Sequence, residues 1–276
     1  MIKLSRRLEA VARLVTSGNR VCDVGTDHAY IPIYLLQTGS SEAALAMDVN
    51  EGPLKRAREH IEENGLCDYI ETRRSDGLRA METGECDSIV IAGMGGGLMI
   101  RILEDSYTKL GAVKELILQP QSDIEQVRRF VGLHGFVIDR QDMVKEDGKY
   151  YMMFRCIHRG KSAVHRLEKN READFEFVQQ EFLQTAFDRY GEQLLKENHP
   201  VLQEYLEREE HLIREIQESL GNQKDSAAAE RRLHELKERQ QVLEVAQAVM
   251  NGNKKQTVGS GAKEEQQVKA GGMDEM

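Results

Sequence analysis

Four segments rich in Asp or Gly follow short apolar runs in the first hundred residues, and their chemistry suits ligand binding. The first segment runs from Asp23 through Gly25 and Asp27 to Tyr30. A glycine just past a strand lets a ligand approach the backbone, and the helix that follows offers free N–H groups. Asp27 stands where a dinucleotide-binding motif has its second glycine, and a carboxylate there would repel a pyrophosphate. The segment favours a ligand with an ammonium or sulfonium group; the alternative is an ordinary turn capped by Asp27.

The second and third segments each place a carboxylate at the end of an apolar run. Asp48, followed by Val49, ends the second run, where an acidic residue can accept both hydroxyls of an adenosine ribose. Asp76 and Gly77 follow the third run, where the carboxylate could reach an adenine amino group. Either pair could equally belong to a surface turn.

The fourth segment is dominated by glycine. Ala92 is followed by Gly93, Met94 and Gly95, and four glycines occupy five positions between residues 93 and 97. So many glycines cost backbone entropy, so we expect a close approach or positive φ angles there. A phosphate cradle is the competing interpretation, although no Lys-Ser/Thr pair follows as in a P-loop.

Strands and helices that alternate along the chain must position these segments. The near-continuous apolar runs are typical of strands buried on both faces of a parallel sheet. Amphipathic helical segments lie between them, so the pattern predicts an open, doubly wound α/β sheet. Such sheets bind ligands at the carboxyl ends of their strands, where all four segments fall. The apolar runs are residues 20–24, 43–47, 69–73, 88–92, 115–119 and 136–138. A final hairpin is predicted after them, with its turn at 146–149.

The strand pattern stops after Cys156. Residues 158–250 are rich in Glu, Leu, Gln, Arg and Lys, with one helical face from 202 to 220 and a seven-residue repeat of Leu236, Leu243 and Met250. We expect a self-contained antiparallel helical hairpin of coiled-coil type, broken near residues 221–222. Residues 251–276 have almost nothing to bury and are predicted to be a disordered tail.

Composition limits the class of protein. The 276 residues carry 38 Lys+Arg and 47 Asp+Glu, a formal net charge of −9, which alone would not suggest a nucleic-acid partner. The sequence has neither an apolar stretch of the roughly 18 residues that span a bilayer nor a secretory signal. Its four cysteines are widely spaced, so we expect no metal site or disulfide and four small buried side chains. These features predict a soluble cytoplasmic protein.

Six short motifs stand out along the first domain. They are Ser5-Arg6-Arg7-Leu8, GTDHAYIP at 25–32, Glu51-Gly52-Pro53, Ser75-Asp76-Gly77-Leu78, IAGMGGG at 91–97 and Leu116-Ile117-Leu118-Gln119-Pro120. Together they resemble one family of class I S-adenosylmethionine-dependent methyltransferases, the bacterial tRNA (adenine(22)-N1)-methyltransferases of the TrmK type. The resemblance covers about residues 2–250 and is close in the first domain, whereas the helical part matches in architecture more than in motif.

This resemblance implies a fold, a reaction and a cofactor. The fold would be a Rossmann-like domain over residues 1–157, with a mostly parallel seven-stranded sheet and an antiparallel C-terminal hairpin strand, followed by the helical domain. The reaction would transfer a methyl group from S-adenosylmethionine to N1 of adenine 22 in tRNA. The implied cofactor contacts are Asp23, Gly25, Asp48, Val49, Asp76, Gly77, Ala92 and Gly93.

Asp27, His28 and Tyr30 are the catalytic candidates. Adenine N1 is a neutral lone-pair nucleophile and the product ring is cationic, so a carboxylate near the N6 amino group would help. Asp27 could equally hold the amino acid end of the cofactor. His28 and Tyr30 could stack on the base, or could serve only as a hydrogen-bonding and a helix-packing residue.

Arg7, Met94 and Gly95 are candidates for contact with the substrate, although Met94 could be plain core filler. The fourth loop lacks the Asn/Asp-Pro-Pro-Tyr of enzymes that methylate exocyclic amines, which favours a ring nitrogen as the target. The partners implied are tRNA, with no membrane or metal, and a monomer is favoured. The alternatives are a methyltransferase for a small molecule or protein that dimerises through its helices, and a binding protein on a degenerate scaffold. The acidic residues, which are all present, argue against degeneration.

Overall fold

A computed structural model of the chain describes the backbone of residues 1–158, 174–221 and 227–270, and the side chains of 1–158, 180–220 and 228–252. Within these ranges the chain divides into two compact units, Met1–Asn170 and Arg171–Met276. The segment around the predicted boundary at residues 157 and 158 is described only as far as 158. The predicted domain limits therefore stay predictions.

The first unit is built on one seven-stranded sheet with the order β3-β2-β1-β4-β5-β7-β6. Strands β1 to β5 pair in parallel, and β7 runs antiparallel between β5 and β6. The mostly parallel sheet with a C-terminal hairpin is therefore confirmed. The strands are β1 Val21–Val24, β2 Ala44–Asp48, β3 Ile70–Arg74, β4 Ser88–Met94, β5 Glu115–Pro120, β6 Phe136–Glu146 and β7 Lys149–His158.

Helices cover both faces of the sheet, and each face has its own apolar core. Because side chains alternate along a strand, Cys22 packs with the helices of one face while Val21 packs with those of the other. The described helices of this unit are α1 Arg6–Arg13, α2 Tyr30–Gln37, α3 Glu51–Glu63, α4 Gly96–Asp105, α5 Tyr107–Leu110 and α6 Ile124–Leu133. Residues of α1, α2 and α3 line the Val21 core, and those of α4 and α6 line the Cys22 core.

The sheet changes direction between β1 and β4. From β1 the chain moves outward to β2 and β3, and it then returns to the other side of β1 as β4. This is the topological switch point, where the loops after β1 and β4 separate and leave a crevice. Two of the predicted ligand-binding segments are therefore neighbours at this point.

A buried carboxylate, Glu115, stabilises the end of the sheet where β4 and β5 begin. Glu115 is 2% exposed, and its oxygens accept hydrogen bonds from the Thr16 backbone N–H (2.8 Å), the Thr16 hydroxyl (2.5 Å) and the Ser88 hydroxyl (2.7 Å). The Arg155 guanidinium lies 3.7 Å away. These contacts join β4, β5 and β7 to the segment after α1.

Glu115→Gln is therefore expected to destabilise the first unit by about 1–3 kcal/mol, because the amide keeps the shape but cannot accept all of these hydrogen bonds. Urea unfolding followed by circular dichroism measures the change, with Glu59→Gln on the exposed side of α3 as the control. Equal unfolding midpoints for the two variants would contradict the structural role of Glu115.

The second unit is helical throughout its described part. Its helices are α7 Asp174–Tyr190, α8 Glu192–Lys196, α9 Pro200–Gly221 and α10 Ala227–Ala270. The predicted α9–α10 pair is present, but α10 also contacts α7 and α8, so the unit is more than a hairpin. The backbone of α10 continues past residue 250 to Ala270, and residues 271–276 and 222–226 lie outside the described residues.

The seven-residue repeat of α10 faces the interior of this unit. Leu236, Leu243 and Met250 are all buried. The two glutamines of the seam bridge to α9, since Gln240 accepts a hydrogen bond from Gln217 (3.0 Å) and Gln247 donates one to Glu210 (2.9 Å). The polar seam positions thus pair across the two helices.

Two smaller sequence expectations were wrong. Cys22, Cys86 and Cys156 are buried as expected, but Cys67 is exposed because it lies in the turn between α3 and β3. The apolar helical face predicted from 202 to 220 is not packed along its whole length, since Ile216 within it is 38% exposed.

Candidate active site

Eight of the predicted site residues line one cavity of about 330 Å³ between the β1 and β4 ends. The cavity brings together the loop after β1, the carboxyl end of β4 and the start of α1. The predicted residues that line it are Arg7, Asp23, Gly25, Asp27, His28, Tyr30, Ala92 and Gly93. Thr26 and Gln121, which the sequence analysis did not single out, line it as well.

The loop after β1 is anchored to the neighbouring strand. The backbone N–H groups of Gly25 and Thr26 both donate to the carbonyl of Met47, at 2.8 and 2.9 Å. Gly25 has a φ of +79°, which places it in the left-handed region that favours glycine. A Cβ at this position would lie 2.2 Å from Cε of Met94. Gly25 is therefore required by its backbone conformation, and any side chain here would also have to displace the end of Met94.

The sequence left open an ordinary turn in which Asp27 caps the next helix, but α2 starts too far along the chain for that. Its first residue is Tyr30 and its N-cap is Ala29, which has a φ of +55° and makes no side-chain cap hydrogen bond. Asp27 is therefore not an N-cap. Its carboxylate is 60% exposed and pairs with the Arg56 guanidinium, and its other oxygen lies 3.3 Å from Nε2 of His28.

Asp23 is the buried acid of the cavity. It is 7% exposed, and burial raises the pKa of its carboxyl to about 6, with the charge of Asp48 adding to the rise. An ionised carboxylate held in such a place is stabilised by a cation brought beside it. The cavity floor is therefore suited to a positively charged ligand group.

The raised pKa of Asp23 makes the stability of the protein depend on pH. The folded state binds a proton at Asp23 between the ordinary pKa of 3.8 and about 6, whereas the unfolded state has released it. Unfolding free energy should therefore fall as pH rises through this window, by about 3 kcal/mol from this group.

Asp23→Asn removes this titration, so its stability relative to the wild type should increase between pH 4 and pH 7. Urea unfolding at a series of pH values measures the difference. A constant difference across the window would show that Asp23 titrates normally.

The glycines at the end of β4 and the start of α4 are needed for a positive φ or for close packing. Gly93 has a φ of +80° and is the extra residue of a β-bulge between Ala92 and Met94. A Cβ on Gly96 would lie 2.4 Å from the carbonyl oxygen of Ser122, and the Gly96 N–H donates to that oxygen (3.1 Å). The protein itself thus uses the first N–H of α4, which disfavours the phosphate cradle at this position.

Asp48 and Val49 lie at the next strand end, outside the residues that line the cavity. One Asp48 oxygen accepts the N–H of Asn50 (2.7 Å), so the predicted turn is present, while its charge still acts on Asp23. Val49 is 48% exposed, and its carbonyl accepts a hydrogen bond from Arg74 (3.0 Å).

Asp76, Gly77, Met94 and Gly95 also lie outside that lining. Asp76 is more than half exposed and pairs with Arg79 at 3.1 Å, and a Cβ on Gly77 would lie 3.0 Å from Ile102. Met94 packs on Gly25, and Gly95 is the N-cap of α4. The structure thus gathers the β1 and β4 segments in the cavity and places Asp48 and Asp76 along the same edge of the sheet.

Arg7 is held over the loop after β4 by side chains of the sheet. Its Nη1 donates to Oε1 of Gln119 (2.8 Å), and its guanidinium carbon lies 5.4 Å from the centre of the Tyr151 ring. A Cβ on Gly93 would lie 3.5 Å from Nη1. Gln119, which the sequence marked only as part of a motif, lies at the carboxyl end of the buried strand β5, and that position places its side chain beside Arg7.

Neither a metal cluster nor a membrane span is evident in the described part of the chain. No group of three or more His, Cys, Asp or Glu side chains described here could hold a metal ion. None of the described helices is both long and apolar enough to cross a bilayer.

Comparison with known proteins identifies the family of the chain. The profile of a family described as "Methyltransferase domain" matches residues 4–154. The curated tRNA (adenine(22)-N(1))-methyltransferase of Bacillus subtilis (strain 168) is 37% identical over 150 residues, which are 54% of this chain and 63% of that relative. This chain thus aligns with slightly less than two thirds of the length of the curated relative.

Solved structures match over a larger part of the chain. The m1A22 tRNA methyltransferase TrmK of B. subtilis has a TM-score of 0.73 at 29% identity, with 91% of this chain and 100% of that chain covered. A putative tRNA (m1A22) methyltransferase of Streptococcus pneumoniae has a TM-score of 0.72 at 31% identity, with 90% and 100% covered.

The Streptococcus protein has also been solved in complex with S-adenosyl-L-methionine, and that structure matches with a TM-score of 0.69 at 30% identity and with the same coverage. The family profile over residues 4–154 and the structural matches over 90–91% of the chain point to the same family. The chain belongs to the methyltransferase-domain family and, within it, to the TrmK-type tRNA (adenine(22)-N1)-methyltransferases.

Proposed function

We propose that this chain transfers the methyl group of S-adenosylmethionine to N1 of adenine 22 in tRNA. The observation that carries the proposal is the acidic cavity at the switch point, with the Asp27, His28 and Tyr30 side chains beside the buried Asp23. The names of the Bacillus and Streptococcus relatives support the substrate.

The residues present fit the cofactor chemically. Its ammonium and sulfonium groups are cationic, and the carboxylates of Asp23 and Asp27 lie in the cavity. Asp48 would accept from the ribose hydroxyls and Asp76 from the adenine amino group, with Val49 and Gly77 beside them. Gly25, Ala92 and Gly93 would let the cofactor lie against the backbone.

The cofactor supplies an electrophilic methyl carbon. The lone pair of adenine N1 forms the new N–C bond as the C–S bond breaks, and the bonding electrons stay on sulfur. Adenine N1 carries no proton to remove, so the protein has to align the two reactants and stabilise a ring that becomes positive. Asp27 is suited to this role because its carboxylate is exposed in the cavity.

The base must leave its pair before it can react. Adenine N1 is used in Watson–Crick pairing, so adenine 22 has to be unpaired or extruded. His28 and Tyr30 offer stacked rings to such a base, while Met94 and Gly95 would lie near it. Arg7 carries five donors in a fixed fork, so it can bind Gln119 and still contact an RNA phosphate.

A tRNA substrate also implies where the protein works. We infer a cytoplasmic location, because that is where bacterial tRNA is found, and we retain the monomer as the proposed oligomeric state. Local basic side chains, and not the net charge of −9, would make the RNA contacts.

The proposal is tested with labelled S-adenosylmethionine and unmodified bulk tRNA, followed by nucleoside analysis. We expect 1-methyladenosine in the product, and none in a transcript in which adenine 22 is replaced by guanine. Asp48→Ala should weaken cofactor binding without unfolding the protein. A protein that binds the cofactor but forms no 1-methyladenosine would favour a small-molecule or protein substrate.

A further inference from the structure

Two side chains of α3, outside the segments assigned to the site, contact the Asp27–Tyr30 loop. The Arg56 guanidinium pairs with the Asp27 carboxylate. Nδ1 of His60 lies 3.2 Å from the carbonyl oxygen of His28. Because this oxygen can only accept, Nδ1 must carry the proton and donate. Residues four apart share a helix face, so Arg56 and His60 act on the loop from one side.

The His60 ring is also part of a stack of three rings. Its centre lies 5.0 Å from that of His28 and 5.4 Å from that of Tyr30, with interplanar angles of 22° and 16°. His28 and Tyr30 are themselves 4.9 Å apart and almost parallel, at 8°. Stacked rings at these distances limit one another's rotation, so His60 restricts the orientation of both.

The loop needs such support because its own backbone is strained. Ala29 has a φ of +55° without being glycine, and α2 begins there without a side-chain cap. A non-glycine residue in this conformation costs about 1–3 kcal/mol and persists only where its surroundings hold it. The contacts from α3 supply part of this restraint.

We propose that Arg56 and His60 are positioning residues of the transfer site. This inference rests on the proposed function. His60 holds the rings of His28 and Tyr30 in the orientation that receives the target adenine. Arg56 fixes the carboxylate of Asp27 by pairing with one of its oxygens, while the other oxygen faces His28. Neither Arg56 nor His60 needs to touch the base. Each acts through a neighbouring side chain of the loop, and it is that side chain that contacts the base.

The inference predicts that His60→Ala lowers kcat for RNA methylation at least tenfold, because a misplaced loop disturbs the alignment of the reactants. Cofactor Kd should stay within about twofold, since His60 is not among the cavity-lining residues. His60→Phe keeps a ring and should recover most of the lost kcat. Arg56→Gln should lower kcat in the same way, and Arg56→Lys should recover part of it.

Glu62→Ala, an exposed change on the same helix, is the matched control and should keep wild-type kcat. Thermal melting identifies any variant that fails to fold, and if His60→Ala is one of them, the loss of kcat expected for Arg56→Gln becomes the informative result. If wild-type protein methylates tRNA and His60→Ala does so equally well, the inference is wrong and the proposed function stands.

A second readout needs no RNA. Loss of the His60 ring should shift the NMR resonances of the Tyr30 ring protons, whereas Glu62→Ala should leave them in place. An unchanged Tyr30 spectrum would contradict the stack. The Tyr30 resonances could also shift on loss of the His60 ring while the wild-type protein shows no tRNA activity. That result would support the positioning contact and overturn only the proposed substrate.

Discussion

Asp27→Asn is expected to lower kcat for tRNA methylation about 100-fold, a size typical of losing one electrostatic contact to the transition state. The asparagine keeps the shape of the side chain and an acceptor oxygen but removes the negative charge. That charge matters most when the adenine ring becomes positive, so the loss should fall on kcat while cofactor Kd changes little.

The same variant separates the two roles left open for Asp27. If its carboxylate holds the amino acid end of the cofactor, cofactor Kd will rise and kcat at saturation will stay near the wild-type value. Single-turnover methylation gives the rate and calorimetry gives the Kd. Glu71→Gln is the matched control, because Glu71 is similarly exposed (59% against 60%) and also pairs with an arginine, Arg73.

The buried strands could be predicted from sequence because burial on both faces leaves a plain signal. All four residues of β1 and all six of β5 are buried, and both strands are mostly apolar in sequence, with only Asp23, Glu115 and Gln119 as polar exceptions. Strand order carries no such signal. The insertion of β7 between β5 and β6 follows from the pairing of Leu116 with Cys156, two residues far apart in the sequence.

Part of the site was predictable for a related reason. Parallel strands bring their carboxyl ends to one edge, so Asp23 and Gly93 had to be neighbours once β1 and β4 paired. The contacts made by α3 were not predictable, because they depend on how that helix is rotated over the sheet. His60 thus stacks on His28 although no motif contains it.

Side-chain partners were the least predictable feature. Asp76 was expected to face the cofactor, and in the structure its carboxylate pairs with Arg79, which also contacts Asp105 at 3.2 Å. The local sequence does not determine this choice, since Arg79 belongs to the turn after Gly77 and its reach depends on the placement of α4. Cofactor binding would require Asp76 to accept from the ligand beside this ion pair.

Gly25→Ala is expected to lower cofactor affinity about 100-fold, equivalent to roughly 3 kcal/mol. Two effects combine. Alanine at a φ of +79° costs about 1–2 kcal/mol, and the loop can relieve this strain only by leaving the conformation that receives the cofactor. Its Cβ would also lie 2.2 Å from Cε of Met94, which must move, and the change falls in the cavity lining where the cofactor has to approach the backbone.

Gly84→Ala separates the two effects. Gly84 has the same φ of +79°, but a Cβ there meets nothing within 4 Å, so this variant should lose about 1–2 kcal/mol of stability and keep full cofactor affinity. Met94→Ala removes the side chain that the new Cβ would strike. The double variant of Gly25 and Met94 should therefore bind the cofactor more tightly than Gly25→Ala alone. If calorimetry gives the two the same Kd, the contact with Met94 contributes nothing, and the conformation of Gly25 alone accounts for the requirement.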